Sequence, residues 1–179
     1  MTVYIILFRG VGGATQLPVK PLREKLAEAG FDNVATYINS GNAILRSRLG
    51  AEKVVSKVSE ICAREFGFHK DVHVRTSEQW RELIGNNPFP GAAATPKFLH
   101  AAVLAAPPED TRIDTLRAVA TAGEGIEIVG NVAYLHTPHG FGTSKLAERF
   151  DKGIGVANTA RNWNTVLKLL ELAEVAERG

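Results

Sequence analysis

Two Gly-Asn dipeptides constrain how this chain can fold. Gly41-Asn42 and Gly130-Asn131 each interrupt a pair of short apolar runs, over residues 34–39 with 43–46 and 126–129 with 132–136. Short strands parted by a glycine-containing turn read as hairpins. Each hairpin also follows a helical stretch closed by a glycine, Gly30 and Gly123. The same grammar used twice predicts a duplicated unit.

The surrounding pattern fills in that unit. Residues 3–8 form a β-branched, apolar run that reads as a buried strand. Pro18 and Pro21 sit where a helix can begin, and Leu22, Leu26 and Ala29 give it an apolar side. Residues 51–66 place Val54, Val58, Ile61 and Cys62 on one helical face. A closing strand follows over residues 72–75, and Ser77 is positioned to cap a further helix carrying Trp80, Leu83 and Ile84. The second half reads as a strand over 97–104, a helix over 109–121, the second hairpin and two more helices, with no closing strand of its own.

The order of the first half is βαββαβ, that of a ferredoxin-like unit. The expected class is therefore α+β, with two ferredoxin-like halves whose antiparallel sheets are covered by helices. Residues 87–96 hold three prolines and a glycine and read as a linker. The expected division is residues 1–86, the linker 87–96, and residues 97–179 with a C-terminal helix.

Composition excludes some functions. The formal net charge of +2 is far from the dense positive face of a duplex binder. The opening apolar run is too short for a signal segment or a membrane span, so no membrane association is expected. A lone Cys62 rules out an intramolecular disulfide and fits a reducing, cytoplasmic setting. His136 and His139 are separated by Thr137-Pro138, and no third cluster has zinc-like spacing, so no metal site is expected. No cofactor can be inferred.

Candidate chemistry gathers in glycine-containing loops and polar helix starts. Arg9, Gly10, Gly12 and Gly13 follow the first strand, where glycines let backbone N–H groups approach an anion. The spacing matches neither a dinucleotide fingerprint nor a P-loop, and a tight turn explains the glycines equally well. Ser144 or Thr143 can cap a helix whose first turn carries Lys145, a cation set against the dipole. Such a charge calls for a bound anion or a nearby acid such as Glu148 or Asp151. Residues 158–165 read as the start of the last helix, capped by Asn158 or Thr159. Arg161 would then share an exposed side with Asn164 or Thr165, and Trp163, Val166, Leu167 and Leu170 would face the core. Six polar side chains and no acid crowd that start, an anion seat by its chemistry. Asn162 and Asn164 could equally serve nearby loop carbonyls.

These residues also resemble a known family. A strand ending in Arg9-Gly10 before Gly12-Gly13, the segments 36–42 and 143–146, and Thr159-Ala160-Arg161-Asn162-Trp163-Asn164-Thr165-Val166 are similar, in order, to the bacterial domain of unknown function family DUF1697. The resemblance implies two ferredoxin-like halves and no established activity. The family pattern usually places three residues between its Arg-Gly and Gly-Gly pairs. Here only Val11 stands there, which removes an Asn side chain from the loop.

The expected function is binding of a small anionic ligand, phosphate-containing or nucleotide-like. Arg9, Lys145 and Arg161 would serve as cations, and Ser40, Asn42, Ser144, Asn162 and Asn164 as polar groups. Two other classes stay open. One is an enzyme acting on a phosphorylated or acyl substrate, for which the motifs supply no evident general base. The other is a nucleic-acid-binding accessory protein, to which Tyr37 and Tyr134 could offer stacking surfaces. No catalytic residue and no oligomeric state can be assigned.

Overall fold

The chain begins in β1 (Thr2–Phe8), α1 (Val19–Glu28), β2 (Asp32–Tyr37), β3 (Asn42–Ser47), α2 (Ala51–Phe66), β4 (Val72–Thr76) and α3 (Ser77–Gly85). It continues through β5 (Leu99–Leu104), α4 (Asp110–Val119), β6 (Gly125–Val129), β7 (Val132–His136), α5 (Lys145–Gly153), β8 (Asn158–Asn162) and α6 (Trp163–Arg178). This computed structural model describes residues 1–38 and 41–179. The strands form two four-stranded antiparallel sheets, ordered β2-β3-β1-β4 and β6-β7-β5-β8. Both are the ferredoxin-like order, so the class read from the sequence holds.

Two backbone bonds at the end of β1 recur at the end of β5. Phe8 N–H donates to the Gly41 carbonyl and Leu104 N–H to that of Asn131, both at 2.9 Å. One residue on, Arg9 N–H meets the Asp71 carbonyl at 3.0 Å and Ala105 N–H that of Ala157 at 2.8 Å.

In the first sheet Tyr4, Ile6 and Phe8 face a core with Leu22 and Leu26 of α1 and Val54, Val58, Ile61 and Cys62 of α2. The stripe on α2 is the i, i+4, i+7, i+8 set the sequence shows, and each such side chain contributes about 1.5–3 kcal/mol on burial. Val3, Ile5 and Leu7 point to the opposite face and are buried as well. In the second sheet Ala102, Leu104, Ala133 and Leu135 pack with Leu116 of α4 and Leu146 and Phe150 of α5. Gly153 ends α5 against α4, where a Cβ would stand 2.8 Å from Leu116 Cδ2.

Two compact units result: Met1–Glu82 with Lys168–Gly179, and Leu83–Leu167. In the first, the Ala176 carbonyl near the end of α6 accepts from Asn33 Nδ2 at 2.9 Å and Arg46 Nη1 at 3.4 Å. A cation at that terminus also suits the helix dipole. In the second, residues ahead of β5 are packed rather than loose. Phe89 lies over Gly125, whose absent Cβ would stand 2.9 Å from the ring, and its centroid is 5.8 Å from that of His136.

Several expectations need correction. Asn158–Asn162 is not the start of a helix but strand β8, and it completes the second unit as a full βαββαβ. Pairing along β5 satisfies backbone groups that a helix start would leave open. The last helix begins at Trp163, and its cap is neither Asn158 nor Thr159. Asn162 Oδ1 accepts from Thr165 N–H at 3.0 Å. Trp163 and Val166 are buried as expected, whereas Leu167 is 39% exposed and Leu169 takes the inward position. Thr76 rather than Ser77 caps α3. Its Oγ1 accepts from Gln79 N–H at 3.1 Å while Gln79 Oε1 accepts from Thr76 N–H at 3.0 Å, a reciprocal capping box. Strand β5 starts at Leu99, because Pro96–Phe98 forms a 3-10 turn. Tyr134 is no stacking platform, since it is fully buried with its hydroxyl on the Leu83 carbonyl at 2.6 Å.

Candidate functional site

In the first unit, antiparallel pairing brings the end of β1 beside the starts of β3 and β4. Three connections therefore meet at one end of the sheet. The first is the loop after β1. Gly10, Gly12 and Gly13 have φ of 68°, 139° and 57°, and Val11 between them stays in the negative range. Positive φ at Gly10, Gly12 and Gly13 makes a tight turn that other residues adopt with strain, and nothing lies within 4 Å of a Cβ built at Gly12 or Gly13. Gly12 and Thr15 close the loop with paired backbone bonds of 2.7 and 3.0 Å.

The second connection is the β2–β3 turn. A Cβ at Gly41 would stand 2.6 Å from Val11 Cγ2 and 2.9 Å from Phe8 Cβ, so the turn presses on the glycine loop. Asn42 is buried, and its Nδ2 donates to the Tyr37 carbonyl at 3.2 Å. Ser40 lies outside the described residues.

The third connection is His69-Lys70-Asp71, ahead of β4. The Asp71 carbonyl receives the Arg9 N–H, and Lys70 lies across Gly10 with its Nζ 3.5 Å from that carbonyl oxygen. Sequence reasoning missed Lys70. Its one signal was a basic residue leading into a strand that had to pair with β1.

The second unit gathers its candidates at the other end of the equivalent strands. His100, near the start of β5, pairs with Asn162 of β8 and Leu135 of β7. Phe141 stacks on the His100 ring at 3.8 Å and 23°. Phe141 belongs to an eight-residue connection between β7 and α5 where the first unit has three residues, Arg48-Leu49-Gly50. That connection ends at Ser144, the cap of α5, whose Oγ accepts from Ala147 N–H at 3.1 Å. The Ser144 and Asn162 segments thus both border His100. His100 Nδ1 is buried with no hydrogen-bond partner among the described residues, and burial lowers the ring's pKa from 6.5 to about 4.

The remaining candidates divide by environment. Arg161 lies on β8, not on an exposed helix side as expected. Its Nη1 donates to Thr159 Oγ1 at 2.6 Å and the Ala160 carbonyl at 2.8 Å. Part of the side chain reaches solvent, yet burial of the guanidinium draws its pKa down to about 10. Asn164 is exposed on the first turn of α6, which carries no acid. Lys145 is exposed at the start of α5, with Glu148 in the same turn. Glu124 provides a further acid there: desolvation opposes its ionisation, but hydrogen bonds from Ser144 and Thr121 outweigh that and lower its pKa.

Glu148 and Asp151 line a groove of about 580 Å³ between α4 and α5, together with Leu116, Val119, Arg149 and Lys152. Asp151 Oδ1 also accepts from Asn158 Nδ2 at 3.3 Å. Cys62 is buried in the first core, where desolvation pushes its thiol to about 12 and leaves it inert as a nucleophile. Among the described residues no group of three or more His, Cys, Asp or Glu could hold a metal ion, and no helix is long and apolar enough to cross a membrane.

No curated protein matches the chain. Among solved structures it is similar to the conserved bacterial protein SP0830 from Streptococcus pneumoniae, at 20% identity and a TM-score of 0.72. That likeness covers 96% of this chain and 98% of the other, and at such identity it shows the fold alone. The family described as "Protein of unknown function (DUF1697)" matches residues 1–134, a span that holds the glycine loop and the first hairpin but not the segments around Ser144 and Arg161. The chain belongs to the DUF1697 family.

Proposed function

We propose that the protein binds a small anionic ligand, phosphate-containing or nucleotide-like, and that the first unit supplies the seat. The observation that carries this reading is an open loop with three glycines at positive φ, onto which Lys70 reaches from the connection ahead of β4. Glycines in such a loop let backbone N–H groups approach an anion closely without a helix dipole. Gly41 and Asn42 would wall the seat. In the second unit Ser144, Lys145, Arg161, Asn162 and Asn164 are the corresponding candidates, with Ser144 and Asn162 also acting as helix caps.

The test is a thermal-shift series with inorganic phosphate, pyrophosphate, nucleotides and sugar phosphates. A ligand at about a hundred times its Kd stabilises the folded state by about 2.7 kcal/mol. The shift should vanish in Gly12→Ala, because a side chain at φ 139° distorts the loop while meeting no neighbour within 4 Å. A response to none of these compounds would defeat the reading.

The enzyme alternative, acting on a phosphorylated or acyl substrate, draws on Glu148 and Asp151 in the α4–α5 groove. Turnover of a generic phosphate or acyl ester, lost in Glu148→Gln, would favour it. A nucleic-acid accessory role would instead show as retention on a polyanion column with steep salt dependence.

A further inference from the structure

Lys70 stands where a ligand of the glycine loop would need a charge. A Cβ at Gly10 would lie 2.9 Å from Lys70 Cδ and 3.1 Å from Nζ, so the missing side chain is what lets the lysine cross the loop. Gly10 also holds φ 68°, a conformation other residues adopt with strain. The ammonium meets the Gly10 carbonyl at a long 3.5 Å. Among the described residues it has that carbonyl and no carboxylate partner. A lysine bringing three donors spends at most one on so weak a bond. The corresponding loop of the second unit opens with Ala105-Ala106-Pro107-Pro108, with neither glycine nor cation. The arrangement is thus an addition to the frame rather than part of it.

We infer that Lys70 is the cationic arm of the first unit's anion seat, admitted over the loop by Gly10, and that the group it takes is a terminal phosphoryl group. This rests on the reading of the glycine loop as an anion seat. The chemistry follows from shape. Backbone N–H groups of the loop and the Lys70 ammonium lie on separate segments and together would offer several donors, which suits a tetrahedral group with three free oxygens. A planar carboxylate is better served by a single guanidinium fork.

Isothermal titration of the intact chain with inorganic phosphate, pyrophosphate and acetate tests this. Wild type should bind phosphate and pyrophosphate in preference to acetate. Lys70→Met, an exposed substitution that leaves the core untouched, should weaken phosphate binding roughly tenfold, with partial recovery in Lys70→Arg. Gly10→Ala should show a similar loss because its Cβ displaces the lysine. Phosphate bound by Lys70→Met as tightly as by wild type would remove Lys70 from the seat while leaving the glycine loop as a binder. Acetate bound as tightly as phosphate would overturn the ligand class. No binding of phosphate or pyrophosphate by wild type would overturn both the seat and the inference.

Discussion

Arg75 and Arg161 occupy the same station in two copies of one sheet. Arg75 lies opposite Ile5 in the β4–β1 pair, and Arg161 lies opposite Ala101 in β8–β5. Each donates from Nη1 to the carbonyl of the residue before it, at 2.8 Å in both cases. Burial lowers the pKa of both. The repeated frame places a desolvated guanidinium at the same position in both sheets.

Replacing either arginine by lysine removes the planar fork and keeps the charge. Arg161→Lys should cost about 1–3 kcal/mol, because it loses bonds to both Thr159 and Ala160. Arg75→Lys loses the bond to the Val74 carbonyl and should also destabilise the fold. Denaturant midpoints of the two variants check this, and unchanged midpoints would show that the fork contributes nothing.

His100 should make the protein acid-sensitive. Its folded pKa, about 4, lies below the ordinary 6.5, so the unfolded chain takes up a proton first as pH falls. The stability held by the neutral ring is complete above about pH 6.5 and is lost as pH drops toward 4. At 1.36 kcal/mol per pH unit this amounts to at most about 3 kcal/mol. His100→Phe should lose less stability than wild type between pH 6.5 and 4. Equal losses in a pH series of melts would refute the assignment.

The two capping residues can be tested alongside each other. Asn162→Ala and Ser144→Ala should each lower stability by about 0.5–2 kcal/mol, while Asn162→Ser should hold most of it. Melting temperatures decide the matter, and an Asn162→Ala protein as stable as wild type would mean that the bond to Thr165 is dispensable.

Gly153→Ala tests the close approach of α5 to α4. Alanine favours helix over glycine by roughly 1 kcal/mol, yet its Cβ would meet Leu116 Cδ2 at 2.8 Å. Overpacking of about 1–3 kcal/mol should win. The double variant with Leu116→Ala should show that Gly153→Ala costs less once the leucine is gone, as a mutant cycle would measure. Additive losses would place the strain elsewhere.

Helices and strands with apolar patterning could be read from the sequence, since Val54, Val58, Ile61 and Cys62 recur at helical spacing and residues 3–8 are a β-branched apolar run. Strand β8 could not. Its residues are Asn, Thr, Ala, Arg and Asn, and their polar groups find partners inside the fold: Arg161 on Thr159, Asn158 on Asp151 and Val156. Internal satisfaction hides the alternation that marks a strand. The glycine loop was visible because φ constraints leave a mark in composition. Lys70 was not, because its place beside Gly10 is set by the register of β4 on β1, a pairing across sixty residues of chain.

The membership of the first unit carries a consequence for how the chain is made. That unit includes Lys168–Gly179, and the Ala176 carbonyl receives Asn33 and Arg46 from strands laid down far earlier. During synthesis the contacts of Asn33 and Arg46 with Ala176 can form only once α6 has left the ribosome. The unit translated first is therefore completed only after the whole of the second unit has been translated. A stop codon shortly after residue 167 would strip the part translated first of its finishing element.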